Sequence, residues 1–111
     1  MDVTDSTYGT VTVLHLSGAF IGDDCEELDV QLQNCVGAEN YKIVLEVDKV
    51  PFIDSDGLDK LLAIAFDFNK HGGDARVAAP NDIINDVLKA TRVDSLVQVY
   101  EDVEEAVKSL L

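Results

Sequence analysis

The stretch VPFIDSDGLDKLL, residues 50–62, brings two patterns together at one junction. An apolar run ends in Asp54, Ser55, Asp56 and Gly57, and leucines at helical spacing follow it. The stretch therefore predicts the end of a buried strand followed directly by the start of a helix. Asp54 or Ser55 can cap this helix through a side-chain oxygen. Alternatively, Ser55 presents its hydroxyl group for modification.

The residues on either side of this junction support a strand followed by a helix. Residues 41–47, YKIVLEV, are rich in β-branched side chains and mostly apolar, which is typical of an interior strand covered by helices. Pro51 ends the regular pairing of this strand. The helix is expected to stop at His71, Gly72 and Gly73, where glycine supplies a left-handed residue. Its predicted apolar stripe consists of Leu58, Leu61, Leu62, Ala65 and Phe66.

The N-terminal residues predict a hairpin and a helix. Tyr8 and Gly9 interrupt the first segment, and residues 10–18 alternate as a strand does. Residues 22–37 form a helix in this interpretation, with Asp23 or Asp24 as its cap and Gly37 as its end. Its apolar face consists of Cys25, Leu28, Leu32 and either Cys35 or Val36. The two cysteines are separated by roughly 15 Å of helix, too far for a disulfide, so we expect two reduced, buried thiols.

The C-terminal part repeats the alternation of strand and helix twice. Residues 75–79 predict a short strand, and Asn81 is the expected cap of the helix that follows. Residues 95–100 predict a last strand, and Asp102 and Glu105 have the spacing of a capping box before a final helix. The predicted buried faces of these helices consist of Ile84, Val87, Leu88 and Thr91, and of Val103, Ala106, Val107 and Leu110.

The predicted element order is therefore ββαβαβαβα, and the fold class is α/β. Strands separated by helices imply right-handed crossovers, so we expect a mixed, mostly parallel sheet with helices packed around it. The chain has 111 residues with no linker and no useful internal repeat. A single domain over residues 1–111 is the expectation.

The charge of the chain limits its partners. Asp and Glu number 22 against 8 Lys and Arg, which gives a formal net charge of −14. Such a surface repels nucleic acids and anionic lipid headgroups, and it attracts a protein partner with a positive face. The first ten residues contain neither a basic start nor an apolar segment, so we expect a cytoplasmic protein with no membrane association.

The sequence offers little for catalysis. His15 and His71 have no Cys or His partner at metal-ligand spacing, and no Gly-rich phosphate loop is present. We therefore predict no metal, no cofactor and no catalytic residue. A small hydrolase that uses the clustered carboxylates is an alternative, and it requires a cleft in which Asp54 and Asp56 converge.

Ser55 is the residue with the clearest regulatory potential. It follows an interior strand of a parallel α/β order, where the carboxyl ends of strands carry function. A phosphate on Ser55 adds about −1.5 to −2 charges beside Asp54, Asp56 and Asp59. The helix dipole and the free amides of the first turn offset part of this repulsion. We expect the fold to survive phosphorylation, whereas a protein surface docked there would be displaced.

Three segments resemble the STAS domain family (sulfate transporter and anti-sigma-factor antagonist), and within it the small bacterial anti-sigma-factor antagonists. They are VTVLHLSGAF at residues 11–20, the central residues 43–62, and the C-terminal residues 71–107. The central segment is the most specific, because it is similar to the family motif Phe-(Met/Ile)-Asp-Ser-(Ser/Thr/Ala)-Gly-Leu. The chain differs from the usual pattern by Asp56 in place of a small residue, by Asp59 in place of a second glycine and by Ile21 in place of an aspartate.

The resemblance implies an anti-sigma-factor antagonist that is switched by phosphorylation and is not an enzyme. Ser55 would be phosphorylated by the anti-sigma factor, itself a serine kinase, and a metal-dependent serine phosphatase would restore the hydroxyl. The unphosphorylated protein would bind the anti-sigma factor and free the sigma factor. The expected partner-binding residues are Phe20, Ile21, Gly22, Asp23, Asp54, Asp56, Gly57 and Asp59. The alternative is a STAS adaptor or scaffold that works without phosphorylation in a signalling or transport assembly.

Overall fold

The computed structural model describes residues 1–111 as five strands, four α-helices and one 3-10 turn. The predicted order ββαβαβαβα is confirmed. None of the helices is long and apolar enough to cross a membrane. The elements are β1 Asp2–Tyr8, β2 Val11–Ser17, α1 Glu26–Gly37, β3 Lys42–Lys49, α2 Ser55–Lys70, β4 Asp74–Ala78, α3 Asp82–Ala90, the 3-10 turn Val93–Ser95, β5 Val99–Tyr100 and α4 Val103–Leu110.

The strands form one sheet in the order β1-β2-β3-β4-β5. β1 and β2 form the antiparallel hairpin, and each later strand runs parallel to its neighbour. Leu14, Leu45 and Val77 lie side by side across the three central strands. The expected mixed, mostly parallel sheet is therefore confirmed. The carboxyl ends of β2, β3 and β4 lie together at one end of the strands, which we call the carboxyl edge of the sheet.

Helices cover both faces of the sheet. On one face, α1, α2 and α3 pack on a large apolar core that contains Leu14, Leu45 and Val77. On the other face, α4 alone packs Ala106, Val107 and Leu110 on Val11, Val13, Val44 and Ala78. Because α4 is short, it leaves part of this second face without a helix.

The uncovered part of the second face contains a hydrogen-bonded polar group. His15 in β2 contacts the Ser6 hydroxyl through Nε2 at 2.9 Å and the Glu46 carboxylate through Nδ1 at 2.6 Å. The three side chains come from β1, β2 and β3. Both ring nitrogens of His15 thus have partners, and the group joins the hairpin to the parallel part of the sheet.

The outer edge of β1 is partly covered by α1. The backbone amide of Val3 donates to the carboxylate of Glu27 at 2.9 Å. This amide points away from β2, because it finds its partner on a helix rather than on the neighbouring strand. α1 therefore contacts the outer side of the edge strand β1 as well as the apolar face of the sheet.

Several predicted helix ends are confirmed. Asn81 caps α3 by accepting from the amide of Ile84, and Asp102 caps α4 by accepting from Glu105. Gly72 has a positive φ of 86° just after α2, as a left-handed stop requires. Cys25 and Cys35 are buried free thiols, and burial raises the pKa of both, which keeps them protonated at neutral pH.

The predicted cap of α1 is wrong. Neither Asp23 nor Asp24 caps this helix; Cys25 occupies the cap position and makes no side-chain cap bond. Asp24 instead forms an ion pair with the amino group of Met1 at 2.7 Å. Both aspartates have the right chemistry for a cap, but residues 21–24 form a turn in which the Asp24 amide donates to the Ile21 carbonyl at 3.1 Å, and the helix begins only after it.

Two further predictions need correction. The sequence pattern places Phe66 in the buried stripe of α2, yet its side chain is 69% exposed, and Ile64 and Phe68 are buried instead. The last strand comprises only Val99–Tyr100, because the 3-10 turn occupies the start of the predicted segment. The helical period of α2 is predicted correctly, but the assignment of apolar residues to its inner face is not.

Asn81 offers a test of how α3 is joined to the end of β3. Its Oδ1 accepts from the Ile84 amide, while its Nδ2 donates to the Val50 carbonyl at 2.8 Å. Asn81→Ala loses both bonds and should lower the free energy of unfolding by about 2 kcal/mol. Asn81→Ser keeps a cap acceptor without placing a second acceptor against the Val50 carbonyl, and it should lose about half as much. Urea denaturation of both variants measures the difference, and equal losses would contradict this double role.

Candidate functional site

Beyond their regular pairing, β2 and β3 continue side by side to build the site. The amide of Gly18 donates to the Lys49 carbonyl at 3.0 Å, and the amide of Phe20 donates to the Phe52 carbonyl at the same distance. Phe20 and Ile53 then form an isolated parallel bridge. These bonds fix the loop after β2 against the segment that leads into α2, at the carboxyl edge of the sheet.

Two glycines allow the loop after β2 to lie directly on the first turn of α2. A β-carbon at Gly57 would overlap the backbone carbonyl oxygen of Phe20 and would lie 2.9 Å from Ile53. A β-carbon at Gly22 would lie 2.5 Å from the β-carbon of Asp56. Both distances are shorter than real carbon contacts, so side chains larger than hydrogen would separate the two segments.

The structure decides between the two possible caps of α2. Asp54 is the cap residue: its carboxylate accepts from the Gly57 amide at 2.6 Å, and its backbone carbonyl accepts from Leu58 at 2.9 Å. Ser55 is the first helical residue, it is exposed, and its hydroxyl has no hydrogen-bond partner within the chain. The carboxylate of Asp54 therefore stabilises the helix start, and the Ser55 hydroxyl is free.

The electrostatic environment of Ser55 is acidic. Asp56 and Asp59 are exposed on the first turns of α2, and Asp23 is exposed in the facing loop. Neither residues 19–24 nor residues 50–59 contain a Lys, Arg or His. The positive end of the α2 dipole is the main local feature that favours an anion, because the backbone amides of Ser55 and Asp56 have no partner within the chain.

The predicted partner-binding residues do lie together, but two of them are inaccessible. Phe20 is 1% exposed and packs in the core. Gly57 is buried against the backbone carbonyl of Phe20. These two residues shape the site from below and cannot themselves contact a partner. The accessible members are the half-buried Ile21, Gly22 and Asp54 and the exposed Asp23, Asp56 and Asp59.

Phe52 is an accessible residue of this region that the sequence did not single out as partner-binding. Its side chain is 51% exposed, although its backbone carbonyl is bound by Phe20. Pro51 before it is exposed, while Val50 is buried and Ile53 is half-buried. A large aromatic side chain just after a proline, outside the regular strand, is the signal that could have found it.

Asp54 and Asp56 do not line the sizeable cavities of the protein. Five cavities of about 250 to 520 Å³ are lined by other residues. No group of three or more His, Cys, Asp or Glu side chains is arranged to hold a metal ion. The converging Asp54 and Asp56 that the hydrolase alternative requires are therefore not found in any of these cavities.

Comparison with known proteins supplies a family and several similar structures. Residues 2–106 match the STAS domain. A candidate anti-sigma factor antagonist from Thermotoga maritima is 21% identical over 97% of this chain and 93% of its own, with a TM-score of 0.87. An anti-sigma factor antagonist from Mycobacterium paratuberculosis is 20% identical over 98% and 92%, with a TM-score of 0.85. The Bacillus cell fate determinant SpoIIAA in its phosphorylated form is 14% identical over 99% and 100%, with a TM-score of 0.73.

The assignment of the cap can be tested by comparing neighbouring residues. Asp54→Ala removes the acceptor for the Gly57 amide and should lower the free energy of unfolding by about 1 kcal/mol. Asp54→Asn keeps an acceptor and should lose less. Ser55→Ala removes a hydroxyl without a partner and should change the value by less than about 0.5 kcal/mol. Chemical denaturation followed by circular dichroism measures all three, and a Ser55→Ala loss as large as that of Asp54→Ala would refute the assignment.

The close approach of Phe20 to α2 gives a second prediction. Gly57→Ala should lower the free energy of unfolding by about 2 to 3 kcal/mol, because the new methyl group overlaps a backbone carbonyl. Gly37→Ala is the control: Gly37 ends α1, and no atom lies within 4 Å of the position that a β-carbon would take there. That variant should be stabilised by up to about 1 kcal/mol. Thermal and urea unfolding of both variants measure these changes. A Gly57→Ala variant as stable as the wild type would contradict the close contact between Gly57 and the Phe20 carbonyl.

Proposed function

Because the chain belongs to the STAS domain family, we propose that it is an anti-sigma-factor antagonist switched by phosphorylation of Ser55. In its unphosphorylated form the protein binds an anti-sigma factor, which is itself a serine kinase, and so frees a sigma factor. The observation that carries the proposal is the Ser55 hydroxyl, which is exposed and unbonded at the first residue of α2.

The docking surface is the group of accessible residues around Ser55, which we call the switch face. It combines the loop after β2 with the first turns of α2 and the segment before it. Its members are Ile21, Gly22, Asp23, Phe52, Asp54, Ser55, Asp56 and Asp59. Phe52 supplies a half-exposed aromatic ring for apolar contact, as binding hot spots commonly do. The surrounding carboxylates favour a partner with basic residues.

The chemical step is transfer of a phosphoryl group from ATP to Ser55. The Oγ atom attacks the γ-phosphorus of ATP held by the kinase, ADP leaves, and the hydroxyl proton passes to a base of the kinase. A metal-dependent serine phosphatase reverses the modification by hydrolysis, in which water takes the phosphoryl group and releases inorganic phosphate. Exposure of Ser55 supports both steps, since each requires another protein's active site to reach Oγ.

The geometry supports a switch of binding rather than of folding. The cap bond of α2 comes from Asp54, so modification of Ser55 leaves that bond intact. The phosphate adds about −1.5 to −2 charges to a surface that has no cation of its own, next to Asp56 and the facing loop. The amides of Ser55 and Asp56 remain available to the phosphate, so helix α2 tolerates it. A partner in contact with the switch face meets a bulky dianion instead of a hydroxyl group.

The departures from the family motif fit this packing. Asp56 has its β-carbon where Gly22 leaves room for it, so a larger residue than usual after the serine is accommodated by the facing loop. Ile21 accepts a hydrogen bond from the Cys25 thiol through its backbone carbonyl, which holds the loop independently of the side chain at position 21. The kinase that acts on Ser55 must therefore accept an aspartate immediately after its target.

The switch predicts opposite outcomes for two substitutions at one position. Ser55→Ala should bind an anti-sigma factor kinase as the wild type does but take up no phosphate. Ser55→Asp should bind at least about tenfold more weakly, equivalent to about 1.4 kcal/mol, because it places a charge within the contact. Isothermal titration calorimetry measures the affinities, and mass spectrometry after incubation with kinase and ATP locates the phosphate.

Ser109 provides the control for this experiment. It is exposed on α4, across the sheet from the switch face, so Ser109→Ala should change neither the affinity nor the phosphate uptake. Phosphate found elsewhere, together with wild-type affinity of Ser55→Asp, would contradict the switch. An affinity that does not depend on the charge at position 55 would favour the adaptor that works without phosphorylation.

A further inference from the structure

The exposed face of α2 carries an apolar groove beyond the switch face. It has a volume of about 430 Å³. Phe66 is 69% exposed on one side of it, and Leu96, which follows the 3-10 turn, is 72% exposed on the other. Its lining residues are Leu62, Ala65, Phe66, Asn69, Asp74 and Leu96. Single exposed apolar side chains are ordinary, whereas these two large ones flank the same groove.

This groove, the Phe66 groove, lies on the same side of α2 as the switch face. At 3.6 residues per turn, Leu62 and Phe66 lie on the same side of α2 as Ser55, because they follow it by seven and eleven residues. The axial distance from Ser55 to Phe66 is about 16 Å. Asp59 lies between them, so a partner that contacts the switch face and extends along the helix reaches the groove.

The charges around the groove favour a basic partner over a second copy of this chain. Asp59, exposed one turn before Leu62, supplies the free carboxylate on this side of α2, whereas Asp74, which lines the groove, is paired with Arg76 at 2.9 Å. The ammonium group of Lys70 already lies 5.5 Å from the centre of the Phe66 ring, so the groove itself suits an apolar side chain. The basic residues of the partner face the carboxylates of the switch face. Two copies of this chain, each with a net charge of −14, repel one another at such a contact.

We propose that the Phe66 groove receives an apolar side chain from a basic segment of the same anti-sigma factor that contacts the switch face. The inference rests on the proposed function and extends it: the partner lies along about three turns of α2. The contact then has two ends. At Ser55, phosphorylation weakens binding; at Phe66, apolar contacts raise the affinity.

The distance between the two ends gives them separate roles. Exposed charges are screened over about 8 Å at physiological ionic strength, roughly half the distance from Ser55 to Phe66. A phosphate on Ser55 therefore leaves the contacts in the groove unchanged. The groove raises the affinity for the partner by the same factor in both forms, and the switch face alone distinguishes them.

Substitutions in the groove test this directly in the 111-residue chain. Phe66→Ser and Leu96→Ser should each weaken binding to the anti-sigma factor kinase about tenfold, whereas Val30→Ser should change it less than about twofold. Val30 is the matched control because it is 55% exposed on α1, on a different helix. Circular dichroism and urea unfolding verify that the variants fold, as exposed substitutions should.

A double-mutant cycle tests the separation of the two ends. Phe52→Ala on the switch face and Phe66→Ser in the groove should reduce the affinity by independent factors that multiply, since the residues are far apart. A coupled effect would overturn the division into two ends. Analytical ultracentrifugation of the protein alone completes the test, because a dimer that Phe66→Ser dissolves would assign the groove to a second copy and overturn the proposed occupant.

The outcomes distinguish failure of the groove proposal from failure of the proposed function. If the wild type does not bind an anti-sigma factor kinase at all, the proposed function and the inference both fail. If the wild type binds and the groove variants bind as tightly as Val30→Ser, the groove proposal fails and the proposed function stands.

Discussion

The backbone carbonyl of Phe20 is the point on which the site depends. It accepts a hydrogen bond from the amide of Asp54 at 3.2 Å, and it occupies the space that a side chain at Gly57 would need. One oxygen thus fixes the residue that caps α2 and the distance between the helix and the facing loop. Asp54 can cap the helix because this bond orients its backbone, and Ser55 is left as the next residue, turned outward.

The fold could be predicted from the sequence because its signals are local. Alternation in β2, the apolar run in β3 and the capping residues Asn81 and Asp102 each act within a few residues, and each is confirmed. Features that depend on tertiary position could not be predicted in the same way. Asp24 is a good cap residue, but the loop that crosses the sheet edge brings it to the amino group of Met1 instead.

The sequence predicted that the residues of the candidate site lie together at the start of α2, but not which of them caps the helix or is exposed. The junction at residues 54–57 indicates a helix start at the edge of the sheet, yet the sequence could not choose between Asp54 and Ser55 as the cap. That choice depends on backbone geometry set by a distant carbonyl. The exposure of Phe66 likewise depends on how α2 rotates over the sheet, where Ile64 and Phe68 fill the space and leave Phe66 outside.

The hydrogen bond from the Val3 amide to the Glu27 carboxylate affects how copies of this protein can pair with one another. The outer edge of a sheet offers unpaired amides to any other strand, and such edges are where chains polymerise. Here one amide is occupied by a charged side chain, and the strand itself carries Asp2 and Asp5. Edge-to-edge pairing of two copies would have to break that bond and bring like charges together, so this strand edge disfavours such pairing.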